Sequence, residues 1–183
     1  DWSSDVCSSD LADSMLKHLD FRASERSFQL MAQVSGRSGR RSRRGVVLIQ
    51  AFQAYHPVIN QVMANDFLAF YNQEIIERER FNYPPFVRLV ELSLRHDDAR
   101  WLEDAANKLI EELRLNLPGQ DILGPQAPVV SRVRGFFIQN ILIKFRRDNN
   151  LTNYKSILEK TILYFKAREA NRSLTIQVDV DPL

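Results

Sequence analysis

The chain has 183 residues, of which 44% are hydrophobic and 26% charged, so it has enough apolar material for one or two globular domains. A single cysteine excludes an intrachain disulfide and fits a reducing cytoplasm, and no apolar run is long enough to span a membrane. The net charge is only +2, but residues 22–44 hold seven basic residues and one acid, and residues 128–147 hold five basic residues and no acid. These two regions indicate anionic partners such as nucleotides or nucleic acids, although surface arginines more often only keep a protein soluble.

Residues 1–10 have neither helical nor strand periodicity. The segment looks like translated cloning or sequencing-adapter sequence, and a genuine disordered N-terminus is the alternative. We therefore leave residues 1–10, and Cys7 with them, out of the fold prediction.

A helix is predicted over residues 23–34, because Phe28, Met31 and Ala32 recur on one face. Gly36 stands where the C-terminus of a helix favours a residue that tolerates a left-handed conformation.

The pattern Gln-x-x-Gly-Arg-x-x-Arg covers Gln33, Arg37 and Arg40. Two guanidinium groups on glycine-containing backbone, just past a rigid helix, can bind a phosphate bidentately. A solvated basic loop is the alternative.

The run Val46-Val47-Leu48-Ile49 is continuous, apolar and rich in β-branched residues, which predicts a buried strand of a parallel sheet. A further helix is predicted from an N-cap at Asp66, with an ion pair between Glu74 and Arg78. Its apolar face consists of Phe67, Phe70, Tyr71 and Ile75. The helix must end before Pro84, and we place a domain boundary near Arg80.

The pattern changes from Phe86 onward. The predicted order is a strand with Val90, Leu92 and Leu94 inward; a helix capped by Asp97 or Asp98 with a stripe of Leu102, Ala105, Ala106, Leu109, Ile110 and Leu113; strands at 129–133 and 138–145; a helix marked by Leu151, Tyr154, Leu158, Ile162 and Phe165; and a strand over 174–180. The order strand-helix-strand-strand-helix-strand is that of the split βαβ plan of ferredoxin-like domains.

The Gln33–Arg40 pattern resembles the last conserved motif of superfamily-two helicases. The surrounding motifs are similar to those of the primosomal protein N′ (PriA) family of bacterial replication-restart helicases, from about Leu11 to Leu183. They are the segments 20–30 and 45–50, Tyr83-Pro84-Pro85-Phe86, Leu123-Gly124-Pro125 and Val178-Asp179-Val180-Asp181-Pro182. The resemblance implies an α/β fold: residues 11–80 as the C-terminal end of a RecA-like helicase lobe, and residues 81–183 as an α+β ferredoxin-like (βαββαβ) C-terminal DNA-binding domain.

The same resemblance assigns a catalytic set. Arg40 would be the finger on the ATP γ-phosphate, Arg37 its companion on the nucleotide, and Gln33 would line the same cleft. ATP and Mg²⁺ would be cofactors of the full-length protein, and a zinc site would lie upstream. The phosphate-binding loop and the metal-binding acids would also lie upstream, so the fragment alone is expected to bind none of these and to be inactive. Ala51 and Ala54 depart from the family's usual threonine and proline, which weakens any DNA contact in that loop.

A second candidate site consists of cationic side chains interleaved with aromatic ones on predicted strands, a pattern that suits single-stranded or branched DNA. Its members are Arg132, Arg134, Phe136, Phe137 and Lys144. Gly135 permits a tight hairpin. The alternative is that Phe136 or Phe137 belongs to the core. Asp179 and Asp181 lack a third ligand at a suitable spacing, so we predict no metal site.

The function implied by the resemblance is that of a cytoplasmic ATP-dependent 3′→5′ DNA helicase that restarts stalled replication forks and initiates primosome assembly. Its partners would be branched or single-stranded DNA, primosome proteins and single-strand-binding proteins, with no membrane. The alternative is a non-enzymatic nucleic-acid-binding module of ferredoxin-like fold. The Gln33–Arg40 pattern separates the two, because a simple binding module does not need it.

Overall fold

The computed structural model describes residues 6–9, 20–37 and 46–182. The chain divides into two compact units, Asp1–Phe81 and Asn82–Leu183.

In the N-terminal unit, the helices pack around a small apolar cluster. Its elements are β1 (Val6–Ser9), α1 (Ala23–Arg37), β2 (Val46–Ile49), α2 (Pro57–Met63) and α3 (Phe67–Arg80). The cluster is formed by Phe28, Met31, Val58, Ile59, Val62 and Phe70. The predicted face of α1 is confirmed, and so is the cap of α3, where the Asp66 carboxylate accepts a hydrogen bond from the Ala69 amide at 2.9 Å. The predicted pair of Glu74 and Arg78 forms at 3.4 Å.

Strand β2 is present and pairs in parallel, as predicted, but it is not buried in this chain. Val46 and Leu48 are 62% and 60% exposed, because the apolar cluster packs against only Ile49 of this strand. The short helix α2 was not predicted. It begins with Pro57, whose fixed φ suits the first helical position, and the Nδ1 atom of His56 accepts a hydrogen bond from the Val58 amide at 3.3 Å.

Strand β1 lies in the segment that showed no strand pattern. It pairs in parallel with β2, with Val6 opposite Val46 and Ser9 opposite Ile49. Strand pairing uses the backbone groups that every non-proline residue carries, so it needs no side-chain pattern. The proposal that residues 1–10 are not native is a separate matter and stays a prediction.

The C-terminal unit is an antiparallel sheet with helices. In chain order its elements are β3 (Val87–His96), α4 (Ala99–Asn116), β4 (Asp121–Gln126), β5 (Arg132–Val133), β6 (Phe136–Arg146), α5 (Leu151–Ala167), a 3₁₀ turn (Glu169–Asn171) and β7 (Thr175–Val180). The sheet order is β4-β6-β3-β7, with β5 paired to β6. Each pair of neighbours is antiparallel.

This order places one strand between the two strands that each helix connects. Because β3 and β4 are both antiparallel to β6, they run parallel to each other on either side of it. By the same argument β6 and β7 run parallel on either side of β3. Helices α4 and α5 form the two crossovers, and both contribute to one core with the inward face of the sheet.

The predicted inward residues form this core. The fully enclosed ones include Leu92, Leu94, Ala106, Leu109, Leu113, Ile141, Ile143 and Phe145, each with no exposed area. Asp98 is the N-cap of α4, where its carboxylate accepts hydrogen bonds from the amides of Arg100 and Trp101.

Two strand predictions need correction. The strand expected over 129–133 is reduced to Arg132–Val133, and its place in the sheet is taken by β4. Strand β4 could not be predicted from the sequence, because Gly124-Pro125 interrupts the alternation of apolar and polar residues. Its register with β6 also shifts between Leu123 and Gln126. Strand β7 is present, but Val178 and Val180 are 47% and 49% exposed because β7 is an edge strand that the core covers only in part.

Candidate nucleic-acid interface

The basic residues between β5 and β6 lie on a tight hairpin. Arg134 and Gly135 form the two-residue connection between Val133 and Phe136, and their φ angles are +51° and +89°. Positive φ at both central residues is the requirement of a type I′ turn, whose twist matches that of paired strands. A Cβ on Gly135 would meet nothing within 4 Å, so the turn itself is what favours glycine here. The turn places Arg134 at the tip of the hairpin.

The hairpin has two different faces. Val133 pairs with Phe136 and Arg132 pairs with Phe137 across the strands. Because cross-strand partners share a face and successive residues alternate, these two pairs lie on opposite faces. The guanidinium of Arg132 lies 4.8 Å from the centre of the Phe137 ring, which packs against the core. Phe136 is 49% exposed. One of the two predicted rings is therefore a packing residue and the other is available at the surface.

Lys144 is not part of this hairpin. It lies seven residues further along β6 than Phe137, about 23 Å away at the usual rise of a strand. The residue is 7% exposed, and its Nζ atom lies 4.0 Å from the ring centre of Tyr83. Burial lowers the pKa of Lys144, and the nearby Asp121 carboxylate opposes that shift only in part. An ammonium enclosed in this way is poorly placed to reach a phosphate, so the position favours a structural role for Lys144.

The sheet face that points away from the helices carries carboxylates. Glu91 and Asp179 are cross-strand partners on this face. The pKa of Glu91 is raised, first by burial and then by the Asp179 charge, while a hydrogen bond from the Asn140 side chain lowers it. Two carboxylates repel phosphates, so the hairpin, which lies beyond the end of β3, suits a nucleic acid better than the centre of this face does.

Glu91→Gln should stabilise the protein at neutral pH. Because the folded state holds the Glu91 proton more tightly than the unfolded chain, the stability linked to this group is lost as pH rises through the raised pKa. Glutamine keeps an acceptor for Asn140 but cannot ionise. Urea unfolding should therefore show a stability difference that is absent well below pH 4.5, the ordinary pKa of the group, and grows as pH rises toward neutrality. The exposed Glu103→Gln is the matched control. A difference that is constant over this pH range would contradict the assignment.

The arginine motif of the N-terminal unit is described only in part. Gln33 lies on the exposed side of α1, and Arg37 is the last residue of that helix. Gly36 is inside the helix with no left-handed φ, so the prediction of a C-cap there is wrong. Helix α1 continues past Val34, and the Ser35 hydroxyl donates to the Met31 carbonyl at 2.8 Å. Arg40 lies outside the described residues.

Among the residues that the structure describes, no group of three histidine, cysteine, aspartate or glutamate side chains could hold a metal ion. In the same part of the chain, no helix combines the length and apolar character that crossing a bilayer requires.

The sequence analysis identified the arginines of the hairpin but missed that Val133 lies opposite Phe136. Gly135 between strand-forming residues permitted a tight turn, but Arg-Gly is not one of the pairs that mark a two-residue turn, so the sequence did not fix which residues face each other. Tyr83 was noticed only as part of a motif, and its contact with Lys144 could not be inferred from residues 61 positions apart in sequence.

The fold and this site define a mixed α/β protein whose helix-backed antiparallel sheet carries a basic hairpin. The model of the primosomal protein N C-terminal domain family matches residues 79–183. The chain belongs to the PriA family of replication restart proteins, as its sequence motifs predicted.

The relatives extend this similarity to both units. Replication restart protein PriA of Treponema pallidum (strain Nichols) is 36% identical over 94% of this chain and 25% of its own length. The proteins of the same name from Bacillus subtilis (strain 168) and Chlamydia muridarum (strain MoPn / Nigg) are 31% and 38% identical over 93% of this chain, and the matches cover 21% and 22% of them. The chain therefore spans about a quarter of these relatives or less.

Proposed function

We propose that this chain is the C-terminal part of an ATP-dependent 3′→5′ DNA helicase that restarts stalled replication forks. Residues 11–80 would end its second RecA-like lobe, and residues 81–183 would be a ferredoxin-like DNA-binding domain. Family membership supports the first part of the proposal. The sheet order β4-β6-β3-β7, with its two split βαβ units, supports the second.

The observation that carries the DNA-binding role is the hairpin of β5 and β6. Arg132 and Arg134 are exposed, and no acid lies between residues 128 and 147 to cancel their charge locally. Guanidinium groups bind phosphates in a planar, bidentate way, and an exposed ring beside them can stack on a base. Branched or single-stranded DNA offers both phosphates for the arginines and an accessible base for the ring.

The nucleotide role rests on the family resemblance. In the full-length protein, Gln33, Arg37 and Arg40 would face ATP and Mg²⁺ that are held by residues outside this chain. Because the chain covers a quarter or less of its relatives, helicase activity belongs to the proposal, as do contacts with primosome and single-strand-binding proteins and a cytoplasmic location.

Arg134→Asn tests the DNA-binding role of the hairpin while preserving its turn. Asn-Gly is a favoured pair for a type I′ turn, so the variant should keep the hairpin and unfold at the same urea concentration or a higher one. It removes one cation, so DNA binding should weaken. The plot of log affinity against log salt should become shallower by roughly 0.7 to 0.9 for the lost phosphate contact. Anisotropy titrations of a labelled fork with the whole chain at several salt concentrations measure both effects.

The matched control removes a cation that lies on α4 rather than on the hairpin. The ammonium of Lys108 pairs with the Asp104 carboxylate at 2.6 Å, so its charge is already balanced locally. Lys108→Gln should leave both the affinity and its salt dependence unchanged. DNA binding that is absent, or that does not respond to salt, would argue against the proposal and favour a protein-docking role for the C-terminal unit.

A further inference from the structure

We propose that Val133 and Phe136 form an apolar plate that stacks on the terminal base pair where a DNA duplex opens into single strands. The inference rests on the proposed DNA-binding role of the hairpin and adds the part of the DNA that this face would contact.

The plate follows from the geometry of the turn. Val133 and Phe136 are cross-strand partners beside the type I′ turn, so their side chains lie together on one face. They are 40% and 49% exposed, and both lie past the last pair of the β3–β6 ladder, His96 with Phe137. A valine and a phenylalanine side by side at the end of a ribbon present one flat apolar surface to the solvent.

Cationic groups lie around this plate. Arg134 is at the tip, next to Val133 in the chain. Arg132 is on the opposite face, where its contact with Phe137 at 4.8 Å holds the guanidinium in place. The apolar face therefore has one arginine in the turn, Arg134, and one on the opposite face of the hairpin, Arg132. This arrangement matches a DNA branch, where a base pair is exposed and two phosphate backbones diverge.

Other forms of DNA fit this shape less well. Stacking along a free single strand uses several aromatic side chains in a groove that follows the backbone. The hairpin instead extends beyond the last pair of the β3–β6 ladder, and it offers one exposed ring, that of Phe136. An uninterrupted duplex exposes no base-pair face, and inserting a ring between two stacked pairs costs a few kcal/mol of unstacking. A terminal base pair at a branch offers its face without that cost.

The test compares three DNA probes with the whole chain and its Phe136→Ala variant. The probes are a fork whose duplex end is closed by a loop, a duplex closed at both ends, and a single strand of equal length. Phe136→Ala should weaken fork binding about 10-fold, which corresponds to the loss of one stacking contact. Binding to the closed duplex should stay within about twofold, and binding to the single strand should fall clearly less than binding to the fork. A 2-aminopurine in the terminal pair of the fork should change its emission on binding the parent chain, and much less with the variant.

Two further variants separate stacking from other effects. Phe136→Tyr keeps the ring and should keep the preference for the fork. Tyr164→Ala removes another exposed ring, on α5, and should change nothing. An equal loss on all three probes, or no loss on the fork, would overturn the inference while leaving the DNA-binding role intact. If the parent chain binds none of the probes, the proposed function itself fails, and this inference with it.

Discussion

In the full-length protein, Arg40→Ala should lower ATP turnover by roughly 10³-fold or more, while the affinity for DNA changes little. An arginine finger stabilises the negative charge that develops on the γ-phosphate during transfer, and its contribution is made in the transition state. The measurement is steady-state ATP hydrolysis at saturating DNA, together with DNA affinity in the absence of ATP.

Two variants of the same basic run make this test specific. Arg40→Lys keeps a positive charge but loses the planar fork of donors, so it should restore little of the turnover. Arg41→Ala removes a neighbouring cation of the same type and should leave turnover largely intact. If Arg40→Ala instead weakened DNA binding and spared hydrolysis, Arg40 would be a contact to the DNA backbone.

Gly124→Ala should lower the free energy of unfolding of the C-terminal unit by about 3 kcal/mol, because two costs add at this position. The φ angle of Gly124 is +109°, a conformation that residues with a Cβ rarely adopt. The new Cβ would also lie 2.7 Å from the Asn140 carbonyl oxygen and 3.3 Å from the Gln126 amide nitrogen. Both are backbone atoms at the shift in register between β4 and β6, so they cannot move aside without disturbing the ladder.

Gly119→Ala is the control for the close approach. Gly119 also has a positive φ, +79°, but a Cβ there would meet nothing within 4 Å. Its replacement should cost only the backbone strain, about 1 kcal/mol. Urea unfolding of both variants gives the comparison. Equal losses at the two positions would show that the contact with β6 adds nothing to the conformational cost.

The sequence predicted the parts of the fold that follow from periodicity. The stripe of α4 from Leu102 to Leu113 and the alternation of Ile141 and Ile143 need only one buried face per element, and the core confirms both. Family motifs added the chain's membership of the PriA family. The arginines of the hairpin could be identified because charge and turn residues are local in the sequence.

The remaining features depend on contacts between distant residues. Strand β4 is held by its pairing with β6 although Gly124-Pro125 breaks its pattern, and Lys144 is enclosed by Tyr83 rather than exposed on its strand. In both cases tertiary packing or backbone pairing outweighed the local preference of the residues. Gly36 differs, because it is helical only in that α1 ends at Arg37 instead of at the predicted Val34.

The hairpin lies at the end of the sheet opposite to both chain ends of its unit. The chain enters the unit beside the start of β3 and leaves it at the end of β7, and the pairing of Val90 with Val180 brings these two points to the same end of the sheet. The hairpin lies at the other end, beyond His96. Ten residues of strand separate the two ends, about 30 Å, which is close to one turn of duplex DNA. The length of the sheet thus keeps the cationic hairpin away from both ends of the unit, so DNA bound at the hairpin would lie about one duplex turn from residues 82 and 182.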